Sequence, residues 1–408
     1  MTIQLSHSGE NINSTLKITG SKSESNRGLI LQALYPSISL ENVSNSDDTQ
    51  VLQRALKLFS GTVDIHHAGT AMRFLTAYFA AKPGCDVVLT GSKRMQERPI
   101  RLLVEALQSM GADISYTHEE GFPPIEIKGK KLLQPTVNLQ ANISSQYISA
   151  IMLIAASLPD GMEINLIGAV TSVPYINMTL ELLNLVGIKG EFQNNRIQIE
   201  ASSNLNPVTV NIESDWSSAS YFYSIVAIAD VAEIKLSNYR KSSLQGDSCI
   251  AEIYRKFGVE TSFEENEVIL RKVDHQKPMR IVENLINSPD IAQTIAVTCL
   301  ALGVECELTG LHTLKIKETD RLVALKNEME KFGAEVKIGK DFLHLAAKTN
   351  LLENVSVETY NDHRMAMAFA PLALKVPLTV IDANVVSKSY PGFWNDLEKL
   401  GFAAVEGA

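Results

Sequence analysis

Apolar residues are arranged along the chain in two kinds of helix-like segment that alternate. In the first kind, such as "SSQYISAIMLIAAS" and "SPDIAQTIAVTCLAL", apolar residues face nearly all sides, so the helix is expected to be buried. In the second kind, such as "LNLVGIKGEF", the helix ends in an apolar residue followed by glycine. Glycine at this place favours a left-handed helix end, and the alternating residues after it predict half-buried strands.

The alternation repeats at a nearly constant interval. Successive buried segments start 48, 75, 71, 73 and 73 residues apart, which predicts six copies of one unit: buried helix, strand, amphipathic helix, glycine, strand and strand. The first copy is shorter by about one pair of strands, because "HAGTAMR" directly follows "LQRALKLFSGTVDI". The six starts are Ser21, Gly69, Ser144, Asp215, Ser288 and Asn361. The terminal glycines are Gly111, Gly187, Gly258, Gly333 and Gly401.

A chain of 408 residues is long enough for two domains, each with three copies of the unit. We expect the chain to cross between the domains within residues 13–20 and again within residues 205–215. The predicted fold is therefore α/β, with residues 1–14 and 214–408 in one discontinuous domain. Residues 15–213 form the inserted domain.

Composition excludes several classes of protein. The formal charge of −9 argues against a protein that binds nucleic acid. The first 20 residues show no basic start before an apolar run, and the longest apolar stretch, 148–158, is too short to span a membrane. We therefore expect a cytoplasmic protein with no membrane partner. The four cysteines form no C-x-x-C pair, and none lies beside a His in a ligand pattern: Cys85, Cys249, Cys299 and Cys306. We therefore expect reduced thiols and no disulfide or zinc framework.

Each buried segment opens with polar or small residues, and capping of the helix start explains them one at a time. Capping does not explain Lys22, Arg27, Arg73 and Arg364, which also lie in the first turns. A cation at a helix N-terminus opposes the helix dipole, so these four residues point to a bound anion. Parallel helices within one domain would bring several such starts to one surface.

The amphipathic segments supply a second set of polar starts. These residues are Arg94, Arg98, Ser172, Tyr175, Lys315, Lys317, Glu318, Arg321 and Lys388. In "KETDR" an alternative interpretation is that Thr319 or Glu318 caps a helix and Arg321 lies in solvent.

Seven motifs, in order along nearly the whole chain, resemble those of the 5-enolpyruvylshikimate-3-phosphate synthase family. They are "GSKSESNRGLILQAL", "HAGTAMRFL", "RMQERPI", "SSQYISA", "SVPYINMT", "IKETDRL" and "YNDHRMAMAFA". The resemblance implies an inside-out α/β barrel with buried parallel helices in each domain, and an active site in the cleft between the domains. It also implies the reaction, in which shikimate-3-phosphate and phosphoenolpyruvate give an enolpyruvyl ether and phosphate in the biosynthesis of chorismate and aromatic amino acids. No metal or organic cofactor is expected, because phosphoenolpyruvate is already activated.

The same resemblance assigns site residues. Those expected to hold shikimate-3-phosphate are Lys22, Ser23, Arg27, Ser144, Ser145, Gln146, Ser172, Tyr175, Asp290, Thr313 and Lys317. The serines at 144, 145 and 172 would face its phosphate, and Arg27 its carboxylate. Those expected to hold phosphoenolpyruvate are Lys22, Gly69, Arg98, Gln146, Arg321, Arg364 and Lys388.

Three groups are assigned to the chemistry. Asp290 is expected to take the proton of the 5-hydroxyl, Glu318 to move the proton at C3 of phosphoenolpyruvate, and Lys22 to assist the leaving phosphate. Lys388 and His363 are alternative proton carriers.

Some positions depart from the family pattern, and two alternative functions stay open. His67, Phe74, Val173 and Thr313 stand where the family usually has Asn, Pro, Lys and Asn. His67, Phe74 and the shortened first copy all lie near the part of the site expected to hold phosphoenolpyruvate, so the response to glyphosate is left open. One alternative is transfer to UDP-N-acetylglucosamine, although the loop "GSKRMQERPI" lacks the Cys usual in that family. The other is a non-catalytic homologue that binds phosphorylated ligands. We expect a monomer acting on small molecules.

Overall fold

The computed structural model describes residues 1–9, 11–141, 144–170, 172–347 and 350–407. The chain divides into two compact units: unit 1 comprises Met1–Thr19 and Glu213–Ala408, and unit 2 comprises Gly20–Ile212. Both crossings fall within the predicted windows, and they differ from the predicted boundaries by five residues and by one residue. No helix in the described ranges is long and apolar enough to cross a membrane.

Unit 1 begins with two strands, β1 (Ile3–His7) and β2 (Ile12–Leu16). Unit 2 then supplies the next set of elements. Its helices are α1 (Lys22–Leu34), α2 (Asp47–Ala55), α3 (Gly69–Ala81), α4 (Lys93–Gln96), α5 (Arg101–Ser109), α6 (Ser145–Ala155) and α7 (Val173–Leu185). Its strands are β3 (Ile38–Glu41), β4 (Ser60–Asp64), β5 (Asp86–Thr90), β6 (Asp113–Tyr116), β7 (Ile125–Lys128), β8 (Thr136–Gln140), β9 (Met162–Ile167), β10 (Gly190–Gln193), β11 (Arg196–Ile199) and β12 (Val208–Asn211).

The remainder of unit 1 follows. Its helices are α8 (Trp216–Ile228), α9 (Ile250–Arg255), α10 (Ala292–Leu302), α11 (Arg321–Lys331), α12 (His363–Phe369) and α13 (Phe393–Glu398). Short 3-10 turns include Pro289–Ile291, His312–Ile316 and Ala383–Lys388. Its strands are β13 (Ala232–Ser237), β14 (Val259–Glu264), β15 (Glu267–Lys272), β16 (Arg280–Asn284), β17 (Glu305–Thr309), β18 (Val336–Ile338), β19 (Leu343–Leu345), β20 (Val355–Val357), β21 (Leu378–Val380) and β22 (Phe402–Glu406).

Five sheets share one pattern, in which a parallel pair is extended by two antiparallel strands. Unit 2 has the orders β4-β5-β7-β6 and β8-β9-β11-β10, and unit 1 has β2-β13-β15-β14, β16-β17-β19-β18 and β20-β21-β1-β22. The first copy contains only the parallel pair β12-β3, so the predicted loss of a strand pair is confirmed. In unit 1, the N-terminal strand β1 pairs with β21 in the last sheet. In unit 2, the last strand, β12, pairs with the first strand, β3. In each unit, strands from the two ends of its sequence therefore lie in the same sheet.

The helices α1, α3, α6, α8, α10 and α12 are largely buried, each within its own unit. Their apolar residues meet other helices and the inner faces of the sheets, which is why the sequence shows no polar side along them. The five predicted glycines all have φ between 75° and 99°, which confirms the left-handed helix ends. The structure is thus a mixed α/β fold in which buried helices position their first turns.

Candidate active site

Arg27, in the second turn of α1, joins three helix starts in unit 2. Its Nε donates to Thr179 Oγ1 at 2.7 Å, and one Nη2 proton goes to Ser149 Oγ at 3.0 Å. Its Nη1 donates to the Ser23 carbonyl at 2.9 Å. These contacts show that the beginnings of α1, α6 and α7 lie side by side. The predicted parallel arrangement of helix starts therefore exists within unit 2.

The starts of α3 and α6 also meet. Gln146 Nε2 donates to Thr70 Oγ1 at 3.4 Å. At Ser144 the side chain caps α6 by accepting from the Gln146 N–H at 3.3 Å, but α3 begins without any side-chain cap. The N–H groups at Gly69 and Thr70 therefore remain suited to an anion.

Capping accounts for part of the pattern of polar starts. Ser21, Ser144, Asp215 and Asp362 each accept a hydrogen bond from a backbone N–H of their own helix. Ser172 does not cap α7, although it stands directly before that helix in a left-handed conformation with φ of 54°. A serine held in this conformation, with its hydroxyl unused by the helix, is typical of a functional position.

Gly69 and Arg98 lie next to each other. A Cβ atom added to Gly69 would lie 2.6 Å from Arg98 Nη1, so only glycine leaves room for this guanidinium. The Arg73 guanidinium links Gly69 to the segment that follows Arg98. It donates to the carbonyls of Gly69 at 3.2 Å and Pro99 at 3.1 Å. Tyr147 also donates to the Pro99 carbonyl, at 2.6 Å. The loop that carries Arg98 is thus fixed to α3.

Unit 2 holds buried positive charge among neutral acceptors. Burial lowers the pKa of Arg27 to about 10 and that of Arg73 to about 10, so both remain cationic at neutral pH. Among the residues that the structure describes, no carboxylate forms an ion pair with either guanidinium. The Arg27 guanidinium also lies 5.3 Å from the ring of Phe74, one of the departures from the family pattern. Such a site attracts an anion.

Lys22 has a partner that the sequence analysis did not identify. Its Nζ lies 3.1 Å from Asp48 Oδ2 in α2, and both side chains are largely buried. A carboxylate at this place holds the ammonium in position. His67 lies at the exposed edge of unit 2, with Nδ1 2.9 Å from Ser92 Oγ.

In unit 1, Arg321 is surrounded by carboxylates. It donates from Nε to Asp362 at 2.6 Å, from Nη1 to Asp290 at 2.9 Å and from Nη2 to Glu318 at 2.9 Å. Burial by itself would lower the pKa of Arg321, but the three carboxylates outweigh it and raise the pKa. Asp320 caps α11 and Arg321 is 1% exposed, so the alternative of a cap at 318 or 319 with a solvated Arg321 is wrong.

Asp290 connects three cations. Besides Arg321, its Oδ1 lies 3.6 Å from Lys317 Nζ, and its Oδ2 lies 3.2 Å from Arg364 Nη2. Arg364 also reaches Ser217 Oγ, in the first turn of α8, at 3.2 Å. The starts of α8, α10 and α12 therefore meet in unit 1 as the helix starts do in unit 2.

Behind Arg364 lies a carboxylate that the sequence analysis missed. Asp247 accepts from Ser217 Oγ through Oδ2, and its buried Oδ1 has no hydrogen-bond partner among the described residues. Burial, followed by the nearby charge of Asp290, raises the pKa of Asp247 to about 7. The only sequence signal was its place in "QGD", just before a helix.

The remaining predicted residues of unit 1 lie on neighbouring segments. Lys388 Nζ donates to the Asn361 carbonyl at 2.5 Å. His363 Nδ1 lies 3.8 Å from Asp362 Oδ1, inside the protein. Thr313 Oγ1 is buried with no hydrogen-bond partner in the described part of the chain.

We predict that Asp247 makes the stability of unit 1 depend on pH. The unfolded carboxyl titrates near pH ~4, whereas the folded pKa is about 7. The native state therefore keeps a proton that the unfolded state loses between these values, so the free energy of unfolding falls as pH rises from ~4 to ~7. Asp247→Asn should reduce this slope, measured by urea denaturation at several pH values.

Ser217→Ala serves as the comparison for this measurement. The Ser217 hydroxyl lowers the folded pKa of Asp247, so its loss should extend the pH-dependent range to higher pH and leave the lower end unchanged. Equal slopes in wild type and Asp247→Asn would show that Asp247 does not titrate in this range.

Comparisons with known proteins identify relatives over nearly the full length. The profile of EPSP synthase (3-phosphoshikimate 1-carboxyvinyltransferase) matches residues 60–397. A 3-phosphoshikimate 1-carboxyvinyltransferase of Bacteroides fragilis (strain YCH46) is 44% identical over 396 residues, covering 96% of each chain. A protein of the same name from Haemophilus influenzae (strain PittEE) is 35% identical over 422 residues, covering 95% of this chain and 96% of the relative.

Solved structures support the fold. An EPSP synthase from Acinetobacter baumannii has a TM-score of 0.81 at 20% identity and covers 99% of this chain and 100% of its own. The enolpyruvyl transferase NikO from Streptomyces tendae has a TM-score of 0.74 at 12% identity, covering 100% of this chain and 99% of its own. With the family profile spanning most of the sequence and a relative at 44% identity, the chain belongs to the EPSP synthase (3-phosphoshikimate 1-carboxyvinyltransferase) family.

Proposed function

We propose that the protein transfers the enolpyruvyl group of phosphoenolpyruvate to the 5-hydroxyl of shikimate-3-phosphate and releases phosphate. The observation that carries this proposal is the buried, cation-rich set of helix starts in unit 2, where no carboxylate of the described residues forms an ion pair with Arg27 or Arg73. Both substrates are phosphorylated carboxylates, and such anions match guanidinium forks and helix N-termini.

Within unit 2, we assign shikimate-3-phosphate to the starts of α1, α6 and α7. The three serines 144, 145 and 172 supply hydroxyls to its phosphate, and Arg27 has an Nη1 proton left for its carboxylate. Ser23, Tyr175 and Gln146 lie on the same three helix starts. In unit 1, Thr313 and Lys317 complete this set, since the buried Thr313 hydroxyl needs a partner.

Phosphoenolpyruvate is assigned to the remaining cations. Gly69 and Arg98 would hold it from unit 2, where backbone N–H groups at the start of α3 are open to an anion. Arg321, Arg364 and Lys388 would hold it from unit 1.

The reaction is an addition followed by an elimination. Glu318 gives a proton to C3 of phosphoenolpyruvate, C2 becomes cationic, and the 5-hydroxyl oxygen bonds to C2 while Asp290 takes its proton. Glu318 then removes a proton from C3, the bond between C2 and the phosphate oxygen breaks, and Lys22 stabilises the leaving phosphate. Lys388 and His363 remain alternative proton carriers.

Asp290 requires a reason to act as a base, since three cations contact it. All three, Lys317, Arg321 and Arg364, are also assigned to substrate anions. When the substrates draw these cations away, the Asp290 carboxylate becomes a stronger proton acceptor. The base is thus activated by binding of the compounds on which it acts.

The finer architecture and the biological setting are also proposals. The pattern of buried helices inside each unit, with sheets of one repeated topology, supports an inside-out α/β barrel. We also propose a monomeric cytoplasmic enzyme. The charge of −9 supports the expectation that it binds no nucleic acid.

The direct test is an activity measurement with two acceptors. We expect the purified protein to release phosphate from phosphoenolpyruvate when shikimate-3-phosphate is present and not with UDP-N-acetylglucosamine. Product should be identified by mass as the enolpyruvyl ether. Binding of shikimate-3-phosphate without any phosphate release would instead support a non-catalytic homologue.

Substitution Asp290→Asn should separate binding from chemistry. The amide keeps the shape but cannot accept the hydroxyl proton, so kcat should fall by about 10²-fold or more. Calorimetry should show that shikimate-3-phosphate still binds. Arg321 retains Asp362 and Glu318 as partners, so the fold should persist, as checked by circular dichroism. Unchanged turnover would remove Asp290 from this role.

Substitution Gly69→Ala should affect phosphoenolpyruvate selectively. The new methyl group would lie 2.6 Å from Arg98 Nη1 and would displace that guanidinium. We expect KM for phosphoenolpyruvate to rise about tenfold, with little change for shikimate-3-phosphate. In an Arg98→Ala background the same substitution should have a smaller effect, and strict additivity of the two changes would contradict this explanation.

A further inference from the structure

The turn before α12 contains two adjacent residues in left-handed conformations. Tyr360 has φ of 54° and Asn361 has φ of 56°. Asparagine tolerates this region, whereas a bulky residue such as tyrosine rarely occupies it. Conformations of this kind persist only where surrounding contacts hold them.

This turn positions two groups assigned to phosphoenolpyruvate. The Asn361 carbonyl accepts from Lys388 Nζ at 2.5 Å. Asp362 follows directly and caps α12 by accepting from the Arg364 N–H at 2.9 Å. A change in the turn would therefore move the side chains of Lys388 and Arg364 relative to each other.

Glu328 is the contact that holds the turn from the side of α11. Its side chain is 0% exposed, and Oε2 accepts from the Glu358 N–H at 2.9 Å while Oε1 accepts from the Tyr360 hydroxyl at 2.7 Å. Lys331 Nζ, on the same helix, donates to Oε2 at 2.7 Å and neutralises the charge. The buried carboxylate therefore binds the residues on both sides of Thr359.

Helix α11 holds the same segment at a second point. Arg321 lies seven residues before Glu328, which places the two side chains on one face of the helix two turns apart. Arg321 binds Asp362 at 2.6 Å, and Glu328 binds Tyr360 and Glu358. The helix thus fixes the turn at both of its ends.

From this geometry we infer that Glu328 is a positioning residue for phosphoenolpyruvate, which acts by holding the Tyr360–Asn361 turn so that Lys388 and Arg364 face the ligand. Glu328 touches neither cation. The inference rests on the proposed function for its kinetic consequence, whereas the hold on the turn is a property of the protein without ligand.

The kinetic test uses three variants. Glu328→Ala removes the acceptors for Tyr360 and Glu358, and we expect KM for phosphoenolpyruvate to rise about tenfold, more than kcat falls. KM for shikimate-3-phosphate should stay within about twofold. Glu328→Gln keeps one acceptor oxygen and should restore most of the affinity. Tyr360→Phe removes one hydrogen bond and is the variant to use should Glu328→Ala fail to fold.

Glu213→Ala is the matched control. Glu213 lies in the same unit, is 1% exposed and accepts from Trp216 Nε1 at 2.8 Å, the Arg240 N–H at 2.9 Å and Ser243 Oγ at 2.7 Å. None of these three partners belongs to the turn. Its loss should lower the thermal midpoint without changing the ratio of the two KM values. An equal rise of both KM values in Glu328→Ala and Glu213→Ala would overturn the inference.

Hydrogen exchange of the protein without ligand separates this inference from the proposed function. Amides 358–364 should exchange faster in Glu328→Ala than in wild type and should be unchanged in Glu213→Ala. Unchanged exchange at these amides would overturn the inference even if the enzyme is active. A further outcome is faster exchange in Glu328→Ala together with a wild-type protein that shows no activity towards phosphoenolpyruvate. That result would support the role of Glu328 in holding the turn and would reject the proposed function.

Discussion

The Arg321 guanidinium, removed from water in unit 1, requires carboxylates around it. Burying a charge is costly unless it is paired and its hydrogen bonds are satisfied, and Asp290, Glu318 and Asp362 do both. Two of these three carboxylates are also the proposed acid and base. The groups assigned to proton transfer are therefore fixed in place by a requirement of the fold before any substrate binds.

The buried guanidinium groups of the two units are stabilised in different ways. In unit 1 the cations are matched by carboxylates, so the cluster is close to electrical balance before a ligand arrives. In unit 2, Arg27 and Arg73 donate to hydroxyls and carbonyls, which satisfy hydrogen bonds but leave the charge. Positive charge left in this way attracts anions.

Contacts from other residues decide the placement of several groups that are assigned to the substrates. Arg98 is placed by Arg73 through the Pro99 carbonyl, and Lys22 by Asp48. Glu328 places the turn on which Lys388 and Asp362 depend. Because each of these supports lies on a different element from the residue it serves, substitutions outside the ligand contacts can alter affinity for one substrate alone.

The sequence by itself determined the repeat, the buried helices, the left-handed glycines and the shortened first copy. These features depend on local periodicity and backbone conformation, which are written in the order of apolar residues and glycines. It also identified the family, since the motif residues are local strings. The partners Asp48, Ser217, Asp247 and Glu328 were decided only by the tertiary structure. They lie tens of residues from the groups they serve, and packing alone determines which buried carboxylate meets which cation or hydroxyl.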